Sequence, residues 1–172
     1  MIDMFGQPQG IEKDATFSDC KRYRYTLSRT WDAGAHPLPI VMLNPSTADA
    51  DLDDPTIKRC MEFARRDGFG GIRVTNLFAY RATSPKDMKA VADPVGEMND
   101  AALEVLFEKA EEAGIAVLAA WGTHGTHRDR AATVMAIARA KGARLACLGV
   151  TKDGHPKHPL YVLGTRPLEA LR

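Results

Sequence analysis

Pro39-Ile-Val-Met-Leu43, then Asp54-Pro55, then Gly71-Ile-Arg-Val-Thr-Asn76: the reading of residues 39–76 decides the fold. The first run is short and continuously apolar, the mark of a strand covered on both faces. Asp54-Pro55 starts a helix, with a carboxylate at the N-cap and a proline where its missing N–H costs nothing. Ile57, Met61 and Ala64 lie on one face of that helix, and Gly68 ends it. Gly71–Asn76 is then a second core strand. Two buried strands separated by a helix imply parallel pairing.

The same alternation continues outward. Ile115–Trp121 and Ala143–Gly149 read as two more buried strands. Ser84-Pro-Lys-Asp87 and Asp93-Pro94 are helix caps, the second opening a helix with Leu103, Leu106, Phe107 and Ala110 on its apolar side. Thr126-His-Arg-Asp129 resembles a capping box for a helix that ends at Gly142. Upstream, Arg22–Ser28 has the period of two of a strand. The expectation is an α/β three-layer sandwich with a four-stranded parallel central sheet and one N-terminal antiparallel strand. One domain over 1–172 is expected, with its core at about 22–168 and residues 1–17 as a flexible arm.

Composition agrees with a globular chain: 172 residues, 45% hydrophobic and 26% charged, which excludes wholesale disorder. There is no uninterrupted apolar run of membrane-spanning length and no secretory leader pattern, so a cytoplasmic protein with no membrane partner is expected. Cys20, Cys60 and Cys147 are scattered and make neither a disulfide framework nor a metal-type pair. Net charge is +1. From Thr123 onward, nine Lys or Arg face three Asp or Glu. That basic third suits either phosphates or solvated helix faces.

In open parallel sheets, ligands bind beyond the carboxyl ends of the strands. The rule selects the loops after Leu43, Val74, Ala120 and Gly149. The first holds Asn44, Ser46, Thr47 and four aspartates between Asp49 and Asp54. These residues suit a polar pocket wall that orients water or a cation, or else Asx turns and helix capping. A calcium loop fails, because Asp54 stands where glycine is needed and Cys60 where an acid is needed. The second loop offers Asn76 for paired hydrogen bonds to an amide-like edge, Phe78 and Tyr80 for stacking, and Arg81 for a phosphate or carboxylate. Packing of either ring beneath the loop is the commoner alternative.

The last two loops each carry His-x-x-His, as His124 with His127 and His155 with His158. Together they raise a zinc alternative, although no cysteine is near in sequence. His155, between Gly154 and Pro156, suits a donor to developing negative charge, or a surface turn. No phosphate-binding P-loop, dinucleotide-binding glycine motif or hydrolase nucleophile elbow is present.

Taken in order, Leu43-Asn-Pro-Ser-Thr-Ala-Asp, Asp54-Pro-Thr, Thr75-Asn-Leu-Phe-Ala-Tyr-Arg, Trp121-Gly and His155-Pro-Lys-His-Pro-Leu-Tyr resemble a bacterial and phage family, domain of unknown function 1643. The likeness runs from about Arg22 to Leu168. The same loop order is similar, more distantly, to the uracil-DNA glycosylase superfamily. That resemblance implies a four-stranded parallel sheet between helices. It also implies roles: Asn44 to position the attacking water, Asn76 to read a base edge, and His155 to stabilise the departing base. Ser46 departs from the superfamily's glycine, Lys157-His158 interrupts its Ser-Pro, and the cysteines of its cluster-binding branches are missing.

The expected function is therefore a glycosylase-like hydrolase acting on a nucleobase, nucleoside or nucleic acid. Asn44 and His155 are the catalytic candidates. Ser46, Asn76, Phe78, Tyr80, Arg81 and His158 are the substrate-binding ones. No cofactor is expected, with zinc or magnesium as an alternative. A non-catalytic nucleotide-binding module and a metal-dependent hydrolase using the 49–54 aspartates are the rival readings.

Overall fold

The computed structural model describes residues 10–47 and 51–172. Among these residues, seven strands and four helices follow in order: β1 Glu12–Phe17, β2 Arg24–Thr30, β3 Pro37–Met42, α1 Pro55–Arg66, β4 Gly71–Asn76, α2 Pro85–Ala90, α3 Asn99–Glu112, β5 Val117–Ala119, α4 Arg130–Ala140, β6 Leu145–Cys147 and β7 Glu169–Ala170. All strands form one sheet in the order β1-β2-β4-β3-β5-β6-β7. The α/β class is as expected, but the sheet is mixed and larger than four strands plus one. β4, β3, β5 and β6 run parallel, whereas β1, β2 and β7 pair antiparallel at the two edges.

The additions have physical reasons for escaping the sequence reading. β1 is Glu-Lys-Asp-Ala-Thr-Phe, mostly exposed, so it carries no apolar alternation and holds on through its ladder to β2. Residues 12–17 are thus a strand rather than part of an arm; residues 1–9 lie outside the described residues. β7 is two exposed residues long, too short for any periodic signal.

Alternation along the central strands divides the core in two. Ile40 and Met42 of β3 point with Leu118, Ile72 and Val74 into a cluster completed by Ile57, Cys60, Met61, Phe63 and Ala64 of α1. Val41 and Ala119 point the other way, into a cluster with Leu103, Leu106 and Phe107 of α3 and Val134 and Ala138 of α4. Both faces are therefore covered. Each fully buried Leu, Ile or Phe contributes about 1.5–3 kcal/mol relative to exposure.

Helix ends follow local chemistry, with two corrections. Asp54 Oδ1 accepts from Ile57 N at 2.8 Å, and Ser84 Oγ accepts from Asp87 N at 3.1 Å, as capping predicts. Asp93 instead closes a turn, accepting from Val95 N and Gly96 N. Gly96 has φ +85°, so α3 starts only at Asn99. Thr126 is no capping box either. Residues 123–129 form 3-10 turns broken by a kink at His127 and Arg128, Thr126 Oγ1 donates to Thr123 O, and α4 begins behind Arg128 and Asp129, both at positive φ.

From β3 the chain moves outward to β4, then returns past β3 to β5. The order reverses between β3 and β5, and a crevice opens at their carboxyl ends.

Candidate functional site

A cavity of about 770 Å³ occupies that crevice. Two other cavities among the described residues, of about 540 and 420 Å³, lie away from it. Each of the four parallel strands ends at its wall or leads into it. β3 contributes Asn44 and Ser46, β4 contributes Asn76, β5 leads to Trp121-Gly122, and the segment after β6 contributes Thr151, Lys157 and His158. The N-terminus of α1 adds Asp54, Pro55, Thr56 and Ile57.

Of the residues singled out from sequence, the fold brings together Asn44, Ser46, Asn76 and His158. Four others do not line this cavity. Phe78 is fully buried in the α3–α4 core, its ring 5.6 Å from that of His127. Tyr80 packs edge-on against Tyr23, with centroids 5.6 Å apart. Arg81 ties loops together, donating to Lys21 O and Thr47 O at 2.9 Å each. His155 sits in a tight turn in which Thr151 N donates to His155 O and His155 N donates to Thr151 Oγ1.

The polar groups that do face the cavity have defined states. Asn44 Nδ2 donates to Pro45 O and Ala82 O, at 3.1 and 3.0 Å. Both amide protons are used, so Oδ1 is left as an acceptor. Asn76 is nearly buried, yet none of the described protein groups hydrogen-bonds its side-chain amide. Its backbone is held firmly: Asn99 Nδ2 donates to both Asn76 O and Leu77 O, and Arg130 Nε donates to Leu77 O. His158 Nδ1 accepts from Leu160 N at 3.3 Å, which assigns the proton to Nε2. Burial lowers the His158 pKa below the ordinary imidazole value, while Asp54 pulls the other way. The ring is therefore neutral at pH 7 and a single donor through Nε2. His124, at the rim, is lowered too, by burial and then by Lys89, whose Nζ lies 3.1 Å from His124 Nδ1.

Asp54, for which the sequence offers both a cap and a pocket-wall reading, is both. Two contributors were missed from sequence. Lys157 was read only as an interruption. Arg24 lies within a strand of period two, where a charged residue signals a solvent face; here it is almost fully buried.

For the zinc alternative, the two His-x-x-His pairs do not assemble. Among the described residues no group of three or more His, Cys, Asp or Glu could hold a metal ion. Asp49 lies outside the described residues. No helix among them is long and apolar enough to cross a membrane.

The model of the family described as a protein of unknown function, DUF1643, matches residues 24–160, and the chain belongs to that family. No curated protein and no solved structure matches it.

Proposed function

We propose that this DUF1643 chain binds a nucleobase-like ring in the strand-end cavity and hydrolyses the N-glycosidic bond that joins it to a sugar. The observation that carries the reading is the convergence of three differently prepared groups on one cavity. Asn44 presents a fixed acceptor, Asn76 an untied amide, and His158 a neutral imidazole with its proton on Nε2.

Those states suit the reaction. Breaking the bond sends its electron pair to the ring nitrogen and leaves an oxocarbenium-like sugar, so a site must hold a developing anion and position water. Asn76 can pair with an adjacent donor and acceptor on a ring edge. His158 Nε2–H donates to the ring oxygen or nitrogen as charge builds there, in place of His155, which does not line this cavity. Asn44 Oδ1 and the Asp54 carboxylate oxygen left over from helix capping accept from the attacking water. The new C–O bond replaces the C–N bond. The water proton leaves through Asp54 and returns to the base.

A thermal-shift screen tests the binding half. The panel holds free bases, nucleosides, nucleotides, short single- and double-stranded oligonucleotides, divalent metals and a chelator. A ligand at a hundred times its Kd stabilises by about 2.7 kcal/mol, which raises Tm by about 5–10 °C in a chain this size. The expected result is a shift with a base-containing ligand that disappears in Asn76→Ala. A flat response from folded protein, or a shift unchanged in Asn76→Ala, contradicts the reading.

A further inference from the structure

Arg24 is 4% exposed and lines the strand-end cavity. Its Nε is sealed from solvent without a hydrogen-bond partner. None of the described groups gives its guanidinium a hydrogen bond or a salt bridge. The nearest carboxylate is Asp54, whose attraction is outweighed by burial and by the like charges of Arg81 and Arg29, so that the pKa falls to about 10. The group is still charged at neutral pH. Other buried arginines in this chain are matched: Arg29 with Asp53 at 2.7 Å, and Arg130 with Leu77 O and Asp100. An unmatched buried guanidinium costs several kcal/mol, and a protein that retains one gains something by it.

Two further groups on the same wall point the same way. Ser46 Oγ is buried without a partner and faces the cavity as a second donor. Lys157 adds a second permanent cation to the lining, against the one carboxylate of Asp54. A planar guanidinium fork fits the oxygens of a phosphate two at a time, and an anion there would supply both missing hydrogen bonds and the missing charge.

We propose that Arg24, with Ser46 and Lys157, forms an anion subsite in this cavity, and that the ligand is a phosphorylated nucleoside rather than a free base or nucleoside. The nucleoside half rests on the base-binding reading above; the anion subsite does not.

Titration calorimetry separates the two. The probes are the four common nucleoside 5′-monophosphates, the matching nucleosides, inorganic phosphate and a five-residue single-stranded oligonucleotide. They are titrated into the full chain and into Arg24→Met. The expected result is a monophosphate that binds at least tenfold tighter than its nucleoside. Arg24→Met then removes that difference and leaves the affinity for the nucleoside unchanged. Unliganded Arg24→Met keeps or raises its Tm, because an unmatched buried charge is gone; a purely structural arginine would lower it. If Arg24→Met does not fold, Arg24→Lys is the second variant, and an intermediate loss of the phosphate preference is expected of it.

Equal affinity for nucleotide and nucleoside overturns the subsite and leaves the base-binding reading standing. Arg24-dependent binding of inorganic phosphate without nucleoside recognition supports the subsite and contradicts the base reading. Tighter, Arg24-dependent binding of the oligonucleotide overturns the mononucleotide assignment in favour of a nucleic-acid backbone. No binding of any probe overturns both.

Discussion

Asn99→Ala should be costly although Asn99 does not line the cavity. Asn99 is fully buried at the start of α3, and its Nδ2 donates to Asn76 O at 3.0 Å and to Leu77 O at 3.1 Å. Truncation removes two hydrogen bonds of about 1 kcal/mol each. Leu77 O retains Arg130 Nε at 2.7 Å, whereas Asn76 O is left buried and unmatched, adding about 1–3 kcal/mol. Working against this, Asn99 Oδ1 is itself buried without a partner, and its removal returns about 1 kcal/mol. The net loss is about 2–4 kcal/mol, or a Tm lower by about 4–16 °C. Urea unfolding followed by the fluorescence of Trp31 and Trp121 measures it. The same variant should weaken any ligand that depends on Asn76, because the amide loses its anchored backbone. A change below about 0.5 kcal/mol would refute the reasoning, since that is the size of an ordinary surface substitution.

Three further outcomes follow from the same structure. Asp54→Ala should lower stability by about 1 kcal/mol through loss of the α1 cap, and should also weaken ligand hydrolysis; intact hydrolysis at reduced stability would confine Asp54 to capping. Cys20 is exposed, and its thiol is lowered to about 7, first by Ser18 and then by Arg22, whereas burial pushes Cys60 up to about 12. Alkylation read by mass spectrometry should therefore reach half its maximal rate near pH 7 at Cys20 and barely touch Cys60; a Cys20 midpoint of an ordinary thiol contradicts this. His158 is held below its usual pKa by burial, so below about pH 6.5 the unfolded chain binds protons that the folded chain does not, and stability falls. The urea midpoint should be lower at pH 5.5 than at pH 7.5, and His158→Gln should reduce the difference; an unchanged difference contradicts the assignment.

What was legible in the sequence depended on whether the cause was local. β3, α1 and β4 could be read because continuous apolar runs and a proline-marked cap act within a few residues of themselves. Strand-end positions follow from topology, which is why Asn44, Ser46 and Asn76 could be placed at the crevice. β1 could not be read, because a polar edge strand is held by its partner's hydrogen bonds rather than by its own side chains. Phe78, Tyr80 and Arg81 were assigned to a pocket on residue type; their loop folds back so that two rings pack inward and the guanidinium holds neighbouring carbonyls. The choice between His155 and His158, three residues apart, turns on local turns: His155 closes the turn from Thr151, whereas His158 caps the next one and lines the cavity. Arg24 was hidden for another reason. Burial of a charge in a strand is decided by residues remote in sequence; the charges that act on Arg24 belong to Asp54, Arg81 and Arg29.

Base release is the direct readout of the proposed reaction. Purified chain is incubated with nucleosides, nucleoside monophosphates and oligonucleotides, and free base is separated by chromatography under single-turnover conditions. The account predicts release from at least one of these substrates, slowed on the order of 100-fold or more in His158→Ala, as expected for loss of a donor to developing charge, and weakened in binding by Asn76→Ala. Tight binding of a base or nucleotide with no base released by the wild-type chain would contradict hydrolysis and leave a binding module in its place.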